Sequence, residues 1–142
     1  MPDESFFRAV AVLESVPKAV DFVADKACEA GLDAKAVYQI QVAVDEACAN
    51  VVHHAYAGLE PGDMEVSCHL DGQAFVVRVR NWGSSFEPEK VVDPDIDAAL
   101  EDRALGGLGL FFIEQFMDHV EYTFDAESGN ELVMTKRLHD AE

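Results

Sequence analysis

The feature that most constrains the fold is a change of hydrophobic periodicity after residue 58. Residues 33–58 carry apolar side chains at helical spacing. This stripe comprises Val37, Ile40, Val44, Cys48, Val51 and Ala55. Residues 64–70 and 75–79 instead alternate apolar and polar side chains around Asp71-Gly72, which is a strong two-residue hairpin signal. We therefore expect a long helix whose apolar face packs on a sheet that contains this hairpin.

Shorter segments before and after these elements predict the rest of the fold. A β-prone run, residues 5–12, precedes a helix that begins near Ser15 and Pro17 and ends at Gly31. Residues 106–120 open with glycines and continue as an apolar helix, and strands 119–125 and 131–138 flank a turn at residues 128–130. The order predicts an α+β fold in which helices pack on one face of a mixed, mostly antiparallel sheet. We expect the opposite face to be open to a partner.

Length and composition predict one domain. The chain has 142 residues, of which 49% are hydrophobic, so it can bury a sizeable core of its own. Residues 84–105 interrupt the pattern with prolines and acidic side chains, and we expect a mobile lid there within a single domain over residues 1–142. Cys28, Cys48 and Cys68 lack the spacing of a zinc site or a disulfide framework, so we expect three small buried side chains.

The charge balance argues against several classes of partner. The chain has 28 acidic and 10 basic residues, and its formal net charge of −18 opposes attraction to nucleic acid and to anionic membranes. A nucleotide site in such a chain needs a divalent cation and backbone donors at a helix N-terminus, so we expect Mg²⁺ with any bound nucleotide. The chain has neither an apolar run long enough to cross a bilayer nor a leader pattern, so we expect a cytoplasmic protein.

Two polar side chains interrupt the small and apolar residues of the long helix. Glu46 and Asn50 are four residues apart, so they share one helix face, which we expect to lie roughly opposite the apolar stripe. An amide oxygen suits Mg²⁺, and a nearby carboxylate can accept a proton from a hydroxyl nucleophile. The spacing is equally typical of the wet side of a surface helix, and both interpretations stay open on spacing alone.

Glycines mark two further candidate segments. Gly106, Gly107 and Gly109 directly precede a predicted helix, where backbone amides and the helix dipole favour phosphate groups. The same glycines are also compatible with a tight turn into a packed helix. After the hairpin, Asn81 and Gly83 are either turn residues with a local hydrogen bond or part of a ligand site.

The order of these motifs resembles one protein family. The stretch DEACANVVHHAY resembles the N box of the bacterial anti-sigma factor serine/threonine protein kinases, VRNWGSSFEP resembles their first glycine box, and GGLGLFFIEQFMDHVEY resembles their second. These kinases are the small single-domain branch of the ATPase superfamily that includes gyrase and the histidine kinases (the GHKL, or Bergerat, fold). The similarity covers about residues 5–138.

The resemblance implies a fold that holds Mg²⁺ and ATP beneath a lid and transfers phosphate to a serine of an antagonist protein. Glu46 matches the general base toward that serine, and Asn50 matches the Mg²⁺ ligand. Gly83 matches the glycine near the adenine, and the phosphate loop is matched by Gly106, Gly107 and Gly109. The implied partners are a sigma factor, which the protein sequesters, and a STAS-type anti-sigma factor antagonist. The family also implies a homodimer.

Two further residues bear on the nucleotide site that the resemblance implies. The family normally has aspartate where this chain has Asn81, and that aspartate accepts a hydrogen bond from the adenine amino group. An amide oxygen accepts the same bond without the charge assistance that roughly doubles its strength. We therefore expect weakened ATP binding, and the alternative function is regulation by partner binding without catalysis. Arg103, just before the glycines, is a candidate cation for the phosphates or an ordinary solvated arginine.

Overall fold

One antiparallel sheet forms the frame of the protein. The structure, a computed structural model, describes residues 4–56, 60–83, 113–125 and 129–138. Within these ranges the strands are β1 (Ser5–Val10), β2 (Asp63–Asp71), β3 (Ala74–Asn81), β4 (His119–Asp125) and β5 (Gly129–Arg137). They lie in the order β1-β2-β3-β5-β4, and all four pairings of these described strands are antiparallel. The predicted α+β fold is confirmed, with a described sheet that is antiparallel rather than mixed.

Two helices cover one face of this sheet. Helix α1 (Val16–Glu29) follows a 3₁₀ turn at Leu13–Ser15 and has proline in its first turn, where no backbone donor is lost. Helix α2 (Ala34–Asn50) begins after Asp33, whose side chain accepts a hydrogen bond from the Ala36 backbone amide at 2.8 Å. Between α1 and α2 the chain turns at Gly31, which has φ +97°. No helix within the described ranges is both long enough and apolar enough to span a bilayer.

The core lies between the helices and the inner face of the sheet. The predicted apolar stripe of α2 is buried as expected, and Ile40, Val44 and Cys48 are fully inaccessible. They pack in one cluster with inward-facing strand residues such as Met64 and Phe75. Burying a side chain of this size contributes roughly 1.5–3 kcal/mol relative to leaving it exposed, so this contact is the main reason that α2 is held on the sheet.

The end of the long helix differs from the prediction of one α-helix to residue 58. Helix α2 ends at Asn50 and continues as a π-helical turn, Val51–Ala55. Val51 and Ala55 are both buried, so the apolar pattern runs through the change of helix type. Hydrophobic periodicity cannot distinguish an α-turn from a single π-turn, and such turns often mark functional sites.

Several predicted boundaries were also wrong. The first strand ends at Val10 rather than at residue 12, and the hairpin turn is Gly72-Gln73, because Asp71 still pairs with Ala74. Gly72 has φ +63°, as expected for glycine at the first central position of a two-residue loop. The predicted helix 106–120 is helical at residues 113–116 within the described part, and β4 begins at residue 119.

Two predictions about single residues were wrong as well. Cys28 is exposed on α1, whereas Cys48 and Cys68 are buried as predicted. Strand β5 begins at Gly129, so Asn130 lies in the strand and not in the predicted turn. The predicted lid at residues 84–105 lies outside the described residues and stays a prediction.

The outer face of the sheet carries a network of alternating charges and an exposed aromatic residue. Arg78 contacts Glu4 at 3.0 Å and Glu131 at 3.7 Å. Trp82, 40% exposed, lies beneath the guanidinium groups of Arg8 and Arg80, at 5.2 and 5.5 Å from its ring centre. The face is therefore ordered by cross-strand pairs and not covered by a helix among the described residues.

Candidate active-site cleft

A small cleft opens between the end of α2 and the adjoining ends of β3 and β5. Its walls are mostly apolar and come from Ala47, Val51, Val79 and Leu132. Three amide side chains also line it, and they are Asn50, Asn81 and Asn130. A mostly apolar cavity with a few polar groups is the usual form of a small-molecule site, because the walls bury the ligand and the polar groups orient it.

Helix α2 brings Asn50 to this cleft with Glu46 one turn before it. Asn50 is only 4% exposed, so the expectation that the pair lies opposite the apolar stripe was wrong for this residue. The flank of α2 that carries Asn50 is covered by the ends of β3 and β5, which helical periodicity alone does not reveal. Within the described part of the chain the Asn50 side chain has no hydrogen-bond partner, which leaves its amide oxygen available to a ligand.

Glu46 is half-buried, and its environment changes its acidity. Burial raises the pKa of the Glu46 carboxyl above its ordinary value of 4.5, and the neighbouring Asp45 carboxylate raises it further. A carboxylate with a raised pKa is a stronger base and stays reachable from solvent at this degree of burial. Glu46 therefore combines the basicity and the access that proton transfer from a hydroxyl group requires.

Asn81 and Asn130 form a buried amide pair at the floor of the cleft. They lie opposite each other on β3 and β5, and each is 4% exposed. Oδ1 of Asn81 accepts hydrogen bonds from the Gly83 backbone amide at 3.0 Å and from Nδ2 of Asn130 at 3.1 Å. Nδ2 of Asn130 also donates to the Gly83 carbonyl at 3.1 Å. The local hydrogen bond of the turn interpretation of Asn81 is therefore present, and it belongs to a larger network that also lines the cleft.

Sequence reasoning missed Asn130. Its neighbours Ser128 and Gly129 indicated a turn, and the register that sets Asn130 against Asn81 joins strands 49 positions apart in sequence. The available signal was weak, because Asn130 could have been recognised only by continuing the alternation of β5 backwards from Leu132.

Position 83 requires glycine because its backbone packs closely against the backbone of the π-turn. A Cβ atom at this position would lie 2.3 Å from the carbonyl oxygen of Ala55, in the π-turn that follows Asn50. Tyr56 strengthens the same junction, since its hydroxyl donates to the Asp63 carbonyl at 2.8 Å and accepts from the Trp82 amide at 3.0 Å. The segment after β3 is thus held directly against the end of the helix that carries Glu46 and Asn50.

The described residues are compatible with Mg²⁺ and a nucleotide. No group of three or more His, Cys, Asp or Glu side chains able to hold a metal occurs in the described ranges, so a bound Mg²⁺ would need ligands beyond the side chains there. Mg²⁺ commonly takes one or two protein oxygens together with phosphates and water, which matches a lone Asn50 oxygen at the cleft. Arg103, Gly106, Gly107 and Gly109 lie outside the described residues.

Comparisons with known proteins identify the family of this chain. Residues 9–136 match the histidine kinase-like ATPase domain. Serine-protein kinase RsbW of Listeria innocua is 36% identical over 118 residues, which cover 80% of this chain and 74% of that protein. Serine-protein kinase RsbW of Halalkalibacterium halodurans is 42% identical over 106 residues, or 72% of this chain and 63% of that protein. These similarities confirm the resemblance, and the chain belongs to the histidine kinase-like ATPase domain family.

Proposed function

We propose that this protein is an ATP-dependent serine kinase that phosphorylates an anti-sigma factor antagonist and sequesters a sigma factor. The observation that carries the proposal is the placement of Glu46 and Asn50 on successive turns of α2, with Asn50 lining the cleft of a histidine kinase-like ATPase domain. Relatives at 36% and 42% identity are named serine-protein kinases, which supports the same activity here. The alternative of partner binding without catalysis is not favoured.

The apolar cleft is the proposed site of the purine base. The planar base would contact the apolar side chains of Val51, Val79 and Leu132. The amide groups of Asn81 and Asn130 would face the polar edge of the base. Gly83 would lie near the base, as the family resemblance implies. We assign the phosphate groups to the glycine loop of Gly106, Gly107 and Gly109, with Arg103 as the nearby cation.

Asn50 and Glu46 have different proposed roles. The amide oxygen of Asn50 would hold Mg²⁺, which, bound with ATP, neutralises the charge on the transferred phosphoryl group. The Glu46 carboxylate accepts the hydroxyl proton of the substrate serine while the serine oxygen forms its bond to the γ-phosphorus. The bond between that phosphorus and the bridging oxygen breaks, and its electron pair leaves with ADP. The products are phosphoserine and ADP.

The partners follow from the same family assignment. The substrate would be a STAS-type antagonist and the sequestered protein a sigma factor, both reached in the cytoplasm, with no direct contact to nucleic acid or membrane.

We also propose a homodimer that uses the outer face of the sheet. Phe6, Val10 and Trp82 are exposed large hydrophobic residues there or at its edge, at 59%, 49% and 40%. Sedimentation of wild type and Phe6→Glu tests the dimer.

A phosphorylation assay tests the proposed activity. The protein is incubated with Mg²⁺, ATP and the cognate antagonist, and phosphoserine is measured by mass spectrometry. We expect phosphoserine with wild type and with Asp21→Asn, an exposed carboxylate on α1 that serves as the control, and none with Glu46→Gln. Capture of the sigma factor by wild type without any phosphoserine would instead support the alternative function of partner binding alone.

A further inference from the structure

The orientation of the Asn81 amide is fixed by its neighbours. Its Oδ1 accepts from two donors, the Gly83 backbone amide and Nδ2 of Asn130. If the Asn81 amide alone turned over, its NH₂ group would face both of these donors, and two hydrogen bonds would be lost. Asn130 cannot turn over to restore its bond with Asn81 without a further loss, because its Nδ2 also donates to the Gly83 carbonyl. The two amides therefore hold each other in one orientation.

This orientation determines which polar atoms remain for a ligand. Both side chains line the cleft, and Oδ1 of Asn81 and Nδ2 of Asn130 are taken by protein groups. The remaining atoms are the NH₂ group of Asn81, which only donates, and Oδ1 of Asn130, which only accepts. Neither of them has a hydrogen-bond partner within the described ranges. At the position of Asn81 the cleft consequently presents a donor and not an acceptor.

Purine bases differ in the group that would meet this donor. Adenine carries an amino group at its 6-position, which donates, whereas guanine and hypoxanthine carry a carbonyl oxygen, which accepts. Next to that position guanine has an N–H donor, which suits the free Oδ1 of Asn130. If the Asn81 NH₂ group faces the 6-amino group of adenine, two donors meet and neither forms a hydrogen bond. An unpaired buried polar group costs free energy of binding.

We propose that Asn130 is a specificity-determining residue: by holding the Asn81 NH₂ group toward the cleft, it allows 6-oxopurine nucleotides to bind at least as tightly as ATP. The inference rests on the proposed function, which places the base in this cleft. It extends that function, because the preference between purine bases depends on Asn130 of the neighbouring strand β5 as well as on Asn81. Neither residue has to contact the phosphates for this effect.

Calorimetric titration of ATP and GTP into four proteins tests the proposal. Asn130→Asp has nearly the same shape but cannot donate, so it removes one of the two bonds that fix the Asn81 amide. It also offers the Asn81 NH₂ group a carboxylate acceptor, which favours the orientation with Asn81 Oδ1 in the cleft. Asn81→Asp keeps the bonds to Gly83 and Asn130 and places a second acceptor in the cleft. We expect each change to raise the ATP-to-GTP affinity ratio by about 5- to 150-fold over wild type. The ratio cancels the general weakening caused by the added charge.

Thr135→Asp is the matched control, since it adds the same charge to β5 on the outer face of the sheet. Its ratio should equal that of wild type. A wild-type protein that prefers ATP by more than about tenfold, or an unchanged ratio in both cleft variants, overturns the proposal while leaving the kinase assignment intact. If neither nucleotide binds wild type, the proposed function fails and this inference fails with it.

Side-chain amide exchange measured by NMR gives a readout that does not depend on either variant folding. Nδ2 protons of Asn130 should be protected from water, because both are donated to protein acceptors. The Asn81 NH₂ protons should exchange faster in the nucleotide-free protein and become protected with GTP. Protection of Asn81 but not of Asn130 before nucleotide addition would show the opposite orientation and overturn the proposal.

Discussion

Replacing Gly83 by alanine tests the junction on which the cleft is built. The added Cβ would lie 2.3 Å from the Ala55 carbonyl oxygen and 2.7 Å from its carbon. Both are backbone atoms, so no change of side-chain rotamer relieves the overlap. Ordinary contact distance is restored only if the segment after β3 moves about 1 Å away from the π-turn.

The size of the effect follows from the hydrogen bonds that this movement stretches. Gly83 donates to Asn81 at 3.0 Å and accepts from Asn130 at 3.1 Å, so a shift of about 1 Å takes both beyond bonding distance. Two lost bonds at roughly 0.5–1.5 kcal/mol each cost about 1–3 kcal/mol. For a chain of this length that lowers the melting temperature by about 3–12 °C. Misplacing the cleft edge by about 1 Å should also weaken nucleotide binding.

Thermal denaturation and calorimetric nucleotide titration measure the two effects. The control is Gly31→Ala, at a glycine with φ +97° and no atom within 4 Å of the added Cβ. This variant should lose about 1 kcal/mol from backbone strain and bind nucleotide like wild type. The reasoning is refuted if Gly83→Ala melts and binds like wild type, or if Gly31→Ala loses nucleotide affinity to the same degree.

Three further changes test single residues. Because only the ionised Glu46 accepts a proton, wild-type phosphotransfer in a pH-rate profile should rise with pH through the raised pKa of Glu46. The free energy of unfolding should fall as pH rises from 4.5 to that raised pKa, and Glu46→Gln should lack this fall in melting profiles. Asn50→Ala should abolish the Mg²⁺ dependence of ATP affinity in titrations with and without the metal, since it removes the proposed oxygen ligand. Lys136→Met removes the buried hydrogen bond to the Phe116 carbonyl and should cost about 1–3 kcal/mol in denaturant melts, whereas exposed Lys35→Met should cost nothing measurable.

The parts of the fold that depend on local patterns were predictable from the sequence. The α2 stripe and the strand alternation follow directly from side-chain periods of 3.6 and 2, so the existence of α1, α2 and the hairpin strands and their inward faces were predicted correctly, although several end residues were not. The π-turn was not predictable, because Val51 and Ala55 fit either helix type. Its position matters for the cleft, since the Ala55 carbonyl is the group that excludes any side chain at position 83.

The parts of the cleft that depend on strand pairing were not predictable. The motifs of Glu46, Asn50, Asn81 and Gly83 are local in sequence and could be singled out there, and of these residues Asn50 and Asn81 line the cleft. Asn130 was missed, and the burial of Asn50 was misjudged, because both depend on how β3 and β5 end beside α2. No local pattern specifies that β5 rather than β4 pairs with β3. For a site that is assembled across a sheet, the sequence therefore reveals the residues in local motifs but not those that strand pairing brings beside them.

A gradient of burial along one helical turn explains the pair Glu46 and Asn50 in α2. Asn50 is neutral, so it can be buried at the cleft without the cost of desolvating a charge. A carboxylate in the same place would pay that cost and face the phosphates of a nucleotide with a charge of like sign. Glu46, one turn earlier, is only half-buried, so its pKa is raised while the carboxyl group stays reachable from solvent, as the proposed role of base toward a protein substrate requires. Exchanging the two residue types would bury the carboxylate at the cleft and remove the proposed base from the more exposed position. The order Glu-x-x-x-Asn is thus the order that the depth of the cleft requires.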